Sequence, residues 1–534
     1  MLHLPTEILS AICRQLPNRD IKSLRLTCSL LKAIVPLRLD RVFLSANRRD
    51  LDVFQAIADS DVFRNQIMEI VWDDTILPED DTQDGDSEIH YEDSSFWDNG
   101  VEEEQTYQMY HADPYEDKFP GWFARACKES LEVVQSADIQ SRELAEWTTR
   151  PTMPISESWA FYQQLLLQQQ EVLQSNAHVR AFEDAWVKRR FPALRTITIT
   201  PAAHGRLFYP LFQTPMIRSF PPGFIYNVPR GWPVRGDIVP EAEEWDDDGE
   251  DWPAFRAVTS IVARHLDDHH HPLPQLRLDA FELPTGLNVR VFEEPCRALT
   301  DFTALVAHPA FQHLHLDLLV GAQERSGWPA FTRGHLARAL SAAQLHSLSI
   351  QTDAFADESE WASFCVSLRT VCPPASLAAV RYFALGGFCV REDDLLQTLA
   401  ALPRAFLQTV RLRGVSLVPQ EGDGDGVNGT ARFCRFLERV RDELQWRDVK
   451  LTIGVPPGWE MAGLTLWVDV DDFLYRGGQN PFELECSAPV VISGFGTWKD
   501  RFNASYERPN LDAAAESKEY PHWYDVMDSI KCRP

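Results

Sequence analysis

The residues best placed to hold a metal are the histidines at 265–271. His265 and His269 stand four apart, the spacing that sets two imidazoles on one helix face, with Asp267, Asp268, His270 and His271 beside them. Zinc needs a third protein ligand, and none can be assigned, so a polar helix end running into a loop is expected. Asp423-Gly-Asp425-Gly-Val427-Asn428 looks like a calcium loop, but Val427 occupies a ligand position and arginines from Arg432 to Arg435 stand where the closing Glu belongs. The acidic tracts could supply paired carboxylates for glycoside hydrolysis, which demands a rigid, partly buried cleft; these tracts read as solvated. GxxxxGK[ST], GxGxxG, GxSxG and HExxH do not occur, which leaves phosphate cradles, nucleophile elbows and zincin sites without support. The expectation is therefore no catalytic residue, no metal, no cofactor and no enzyme.

Charge narrows the partners. The formal net charge over 534 residues is −28, yet residues 79–104 hold twelve acidic and no basic side chains, and 237–251 hold nine and none. Those two segments account for most of the imbalance. An acidic chain whose only basic cluster is Lys188-Arg189-Arg190 repels phosphate backbones, so nucleic acid is not an expected partner. Ten scattered cysteines without a CxxC pair argue against zinc and against a disulfide framework. No apolar run approaches the 18 residues of a membrane span, and Pro5, Glu7 and Arg14 break up any signal peptide. A cytoplasmic or nuclear protein is expected.

Among the elements that must position these residues, the first 45 positions are the most informative. Pro5 suits a first helical position and Glu7 complements the helix dipole. Ile8, Leu9, Ile12 and Leu16 make one apolar stripe that Pro17 ends. Ile21, Leu24 and Leu26 mark a second short helix. Thr27 is placed to cap a third, carrying Leu30, Leu31, Ile34 and Val35 up to Pro36. Three helices in about 40 residues are too few to sustain themselves, and their apolar side chains exceed what so small a core encloses. The excess must meet either the rest of the chain or a second protein.

This order of residues, Leu4-Pro5-x-Glu7-Ile8-Leu9, Ile12, Leu16-Pro17, Asp20-Ile21 and Leu24-Arg25-Leu26-Thr27-Cys28, resembles an F-box. The resemblance implies docking on a Skp1-type adaptor and, through it, membership of a cullin–RING ubiquitin ligase. By the family's pattern Leu4, Pro5, Ile8, Leu9, Ile12, Leu24, Leu26, Leu31 and Pro36 would face Skp1. Leu31 stands where many members carry an aromatic, often Trp. No further domain is expected ahead of the box.

Beyond the box, Arg48–Ala58 reads as a helix and Ile67–Trp72 as a buried strand. Residues 77–118 form an acidic insertion, expected to be mobile. Helical patterns occupy 119–192, including the Gln-rich Tyr162–Gln174. From Pro192 an apolar triad spaced 0, +3, +5 recurs at Leu194, Leu273, Phe311, Leu345, Leu377, Leu407 and Trp446. Helical stretches separate the triads at Cys296–Ala307, Leu336–Ala343, Glu360–Val371, Asp393–Leu402 and Ala431–Leu444. One strand and one helix per 30–39 residues predicts an irregular leucine-rich-repeat-like α/β solenoid over 193–500, lacking the regular repeat's asparagine. Residues 215–253 read as an insertion on one rim, and 501–534 as a tail. Trp328, Trp361 and Tyr382 are expected in the core rather than at a ligand. The segments ITPAAHG (199–205), LPTGLN (283–288) and FLYRGGQNPF (473–482) are similar to a group of filamentous-fungal F-box proteins. The whole reads as a three-helix F-box at 1–46, a helix–strand unit at 47–76, and a recognition domain. The implied function is to select a protein target for ubiquitination; a Skp1-bound scaffold outside any ligase is the alternative.

Overall fold

The computed structural model describes residues 5–79, 119–136, 152–354, 364–419, 429–454 and 465–483, apart from single positions and the short breaks 234–241 and 267–272 within them. The histidine tract beyond His265, the Asp423–Asn428 stretch, Trp361 and the acidic segment 80–118 lie outside the described residues.

Three short helices, α1 (Thr6–Arg14), α2 (Asn18–Thr27) and α3 (Ser29–Ile34), open the chain. The rest is mixed α/β, built on a sheet whose strands follow chain order: β1 (Arg41–Ser45), β2 (Glu69–Asp73), β3 (Thr196–Thr200), β4 (Gln275–Leu278), β5 (Leu287–Asn288, on the end of β6), β6 (His313–Leu319), β7 (Ser347–Thr352) and β8 (Tyr382–Gly386). A two-residue β9 (Cys389–Val390) pairs separately with β11 (Ser416–Leu417). The main sheet continues through β10 (Thr409–Arg413), β12 (Lys450–Gly454) and β13 (Thr465–Leu466). All pairings are parallel except β12 with β13. Parallel neighbours require a crossover, and the long ones here are helices: α4 (Arg48–Ala58), α5 (Gly121–Ser136), α6 (Ile155–Ser175), α7 (Ala177–Val187), α8 (Pro253–Arg264), α9 (Arg297–Ala307), α10 (His335–Ser341), α11 (Glu392–Ala400) and α12 (Gly429–Arg439). The strand Arg41–Ser45, at the end of the segment read as 1–46, is the sheet's edge.

The register lays the strands into lanes. Val42, Ile70, Ile197, Leu276, Leu314, Leu348, Phe383, Val410 and Leu451 are successive partners, as are Leu44, Trp72, Ile199, Leu278, Leu316, Ile350, Leu385, Leu412 and Ile453. These two lanes face one way because strand side chains alternate. With the apolar stripes of the helices they form one continuous core. In α9, for example, Leu299, Phe302, Leu305 and Val306 are buried, and Cys296 caps the helix, its Sγ accepting from the Leu299 N–H.

Two triads are shifted from their expected register. In β8 the inward residues are Phe383 and Leu385, preceded by Val380, so Tyr382 faces the opposite side. In β12 they are Leu451 and Ile453, and Trp446 and Val449 precede the strand. At β8 the 0, +3, +5 pattern also fits Val380, Phe383 and Leu385, and only pairing resolves it; at β12 the matching frame would start at Asp448, so the pattern missed it. Of Glu360–Val371, the described part is helical only at Leu368–Val371. Within 215–253, Met216, Ile217, Phe224, Ile225 and Tyr226 join Phe123, Tyr162 and Leu165 of α5 and α6 in a second core. The second acidic run is partly built in as well. Asp247 accepts from the N–H groups of Arg297 and Ala298 at the start of α9. Trp328 is buried and donates to the Phe364 carbonyl.

Candidate partner-docking surfaces

Within the N-terminal helices α1, α2 and α3, Cys13, Ile21, Leu31 and Val35 form a small core of their own, ringed by Leu16, Leu24, Cys28, Ile34 and Leu37. Arg25 ties α2 to α3 by donating to the carbonyls of Lys32 and Val35, and Arg38 donates to that of Leu16. Thr27 does not cap α3; its hydroxyl donates back to the Leu24 carbonyl, and the cap position is Cys28. Leu9 and Leu31, two of the residues expected to face a partner, are buried, and Leu24 is half-buried. The outward face is carried by Pro5, Ile8 (48% exposed), Ile12 (37%) and Leu26 (88%). Leu30 (48%) joins them, although the family pattern does not single it out. Leu26 and Leu30 lie in different helices on either side of the extended Cys28, so no single-helix spacing marked Leu30. Leu4 and Pro36 lie outside the described residues.

The second surface is the sheet face opposite the core. Its central lane runs Phe43, Val71, Thr198, Arg277, His315, Ser349, Ala384, Arg411 and Thr452. These residues sit between the two apolar positions of each strand, as in Leu276-Arg277-Leu278 and Val410-Arg411-Leu412; that alternation is the signal by which they were legible. Arg41 and Glu69 pair at 2.8 Å, and Glu69 also accepts from the Thr198 hydroxyl. Arg277 donates to Asp279, and His315 Nε2 lies 3.1 Å from Asp317 and 3.9 Å from Asp279. Burial alone would lower the imidazole's pKa, but Asp317 and Asp279 outweigh it and hold His315 above its ordinary value. Ligand atoms of Asp279, His315 and Asp317 fall within 4.8 Å of one another, close enough for one metal ion. The charges of Arg277 and of His315 in its protonated form already balance the two carboxylates.

Aspartates join the strand ends. Asp317 accepts from the Ala280 N–H and Asp353 from the Val320 N–H, each reaching the turn after the preceding strand. Carboxylates thus take up backbone donors at these turns. Three more, Asp50, Asp73 and Asp74, are fully buried near β1 and β2. Asp50 accepts from Ser45 and the Met216 N–H, Asp73 from the Thr75 N–H, and Asp74 from the Trp232 indole and the Ala254 N–H. Burial is the main cause that raises them, to about 6, 8 and 7 respectively. His204 lies 4.0 Å from Asp73 and bonds Tyr226 at 2.9 Å. Asp73, His204 and Tyr226 are all buried.

The segments 199–205, 283–288 and 473–482 are joints. Thr200 accepts from Ala202 in the first. In the second, a Cβ on Gly286 would come within 2.5 Å of the Asp317 backbone, so only glycine lets β5 lie against β6. In the third, Tyr475 donates to the Val449 carbonyl, Asn480 to that of Cys434, and Phe482 stacks on Phe433 at 5.3 Å. No described helix is long and apolar enough to cross a membrane.

No family model matches the chain, and no curated protein matches it.

Proposed function

We propose that the chain is the substrate-recognition adaptor of a Skp1–cullin–F-box ubiquitin ligase: the N-terminal helices dock on a Skp1-type protein, and the sheet domain holds a protein target. The supporting observation is that Ile8, Ile12, Leu26 and Leu30, four large apolar side chains of the N-terminal helices, stay exposed beside a core of Cys13, Ile21, Leu31 and Val35. Exposed apolar groups gathered in so short a segment mark a site for another protein. On this reading the strand–helix units form a leucine-rich-repeat-like solenoid, the protein works in cytoplasm or nucleus, and it performs no chemistry itself. It acts by proximity, since holding target and transfer machinery together supplies much of the rate gain.

Co-expression with a Skp1-type protein tests this. Ile8→Asp combined with Leu26→Asp is expected to abolish co-purification while leaving stability within about 0.5 kcal/mol, because both positions are exposed. Undiminished capture would sink the reading. A complex that forms yet never recruits cullin would instead make the protein a scaffold outside the ligase.

A further inference from the structure

We infer that the open face of the sheet carries a site for a small oxyanion, a carboxylate or phosphate group, in the hollow between Arg277 and Arg411. This deepens the reading of the sheet domain as the recognition surface, and rests on it.

The hollow follows from side-chain size along one lane. Arg277, His315, Ser349, Ala384 and Arg411 are successive partners on β4, β6, β7, β8 and β10. The two smallest, Ser349 and Ala384, lie between long cationic neighbours, so the floor drops between them. Ser347, Tyr382 and Thr409 of the adjoining lane border the depression, a shallow one open to solvent that encloses about 30 Å³.

The charged groups of the lining are of one sign, beside atoms of Leu348, Phe383 and Ala384. Two guanidiniums, an imidazole and four hydroxyls meet there, and none of the described residues lining it is a carboxylate. In a chain of net charge −28 that is an unexpected concentration of donors. Asp279 and Asp317 lie one lane further along the strands, outside the lining, where they pair with Arg277 and His315. They pair with these two groups from outside the hollow, so Arg277 and His315 present hydrogen-bond donors to it rather than net charge. Arg277, His315, Ser349, Thr409 and Arg411 are each at least nine-tenths buried, so their donors are held by packing. Charge-assisted hydrogen bonds to an oxyanion are the strong kind, and a guanidinium fork matches two oxygens at once. The long-range field of the protein repels anions, so recognition here works at contact.

The full-length chain, titrated calorimetrically with inorganic phosphate, sulfate and acetate at ionic strength matched by chloride, gives the test. Saturable binding of at least one anion is expected; preference for acetate assigns a carboxylate, and preference for phosphate or sulfate a tetrahedral group. Arg411→Gln is expected to weaken binding tenfold to a hundredfold, roughly the loss of one charged hydrogen bond. Ala384→Leu, which fills the hollow from the solvent side without entering the apolar core, is expected to abolish binding with an unchanged unfolding midpoint. No saturable binding of any of the three, or binding unaltered in both variants, overturns the inference. Capture of a Skp1-type protein, measured on the same preparations, keeps the two readings apart: adaptor capture without anion binding overturns this site alone, and anion binding without capture overturns the adaptor alone.

Discussion

Asp73 has one carboxylate oxygen bonded to the Thr75 N–H and the other turned toward His204, 4.0 Å away, with Asp50 and Asp74 as its like-charged neighbours. Burial, aided by those neighbours, pushes its pKa from 3.8 up to about 8. Between about pH 4 and pH 8 the folded chain therefore keeps a proton that the unfolded chain has released. Stability falls as pH rises through that window and levels off above it. Asp73→Asn keeps the acceptor for Thr75 and removes the charge. Denaturant titrations across pH should show a shallower decline for the variant and a gain of about 1 kcal/mol or more at about pH 8.5. Asp50 and Asp74 shift in the same direction, so some slope persists. A wild-type slope unchanged by the substitution would show that Asp73 is already ionised in the fold. Asp317 makes a second case. Asn at that position retains an acceptor for the Ala280 N–H, whereas Ala leaves a buried donor unpaired, at a cost of about 1–3 kcal/mol. Equal stabilities of the two variants would show that the Asp317 joint carries no weight in the fold.

At the scale of the element, register decides which side chain matters. Phe383 and Leu385 enter the core from β8, and Tyr382 stands on the polar side. Phe383→Ala is expected to cost about 3–5 kcal/mol, while Tyr382→Ala should cost far less. Chemical unfolding of the pair distinguishes this frame from the one in which Tyr382 points inward, for which the order reverses. The same logic makes the short segment 473–482 a clamp. Asn480 is buried, donates to the Cys434 carbonyl and receives the Phe482 N–H, so its loss leaves that buried N–H unmatched.

The whole molecule divides by its cores. The N-terminal helices close on Cys13, Ile21, Leu31 and Val35, and those residues belong to neither of the two large cores. Removing residues 1–36 should thus leave the melting midpoint of the remainder within about 2–4 °C, the shift that about 1 kcal/mol produces in a domain of roughly 150–250 residues. A larger fall, followed by circular dichroism, would mean that the helices brace the sheet. Elsewhere the fold is cumulative. Strands are laid down in chain order, each against its predecessor, and the second core fills one end with the aromatic residues of 215–226 and two helices.

Much of this was legible in residue types alone. The apolar triads placed β3, β4, β6, β7 and β10 in their observed register, since alternation leaves one face apolar whatever the neighbours are. Prolines and stripes marked the N-terminal helices, and scattered cysteines read as small hydrophobes: the eight described are free, with burial raising the thiols of Cys127, Cys372 and Cys389 to about 12. What the residues could not determine is which apolar positions stay outside and which polar ones converge. Leu9 and Ile8 are neighbours of the same type, and only the packing of three helices buries one and exposes the other. Arg277 and Arg411 are far apart in the chain, and only parallel pairing through three intervening strands sets them around one hollow. Local pattern fixes the face a side chain takes within its own element; which faces meet depends on contacts between distant segments, which no local pattern encodes.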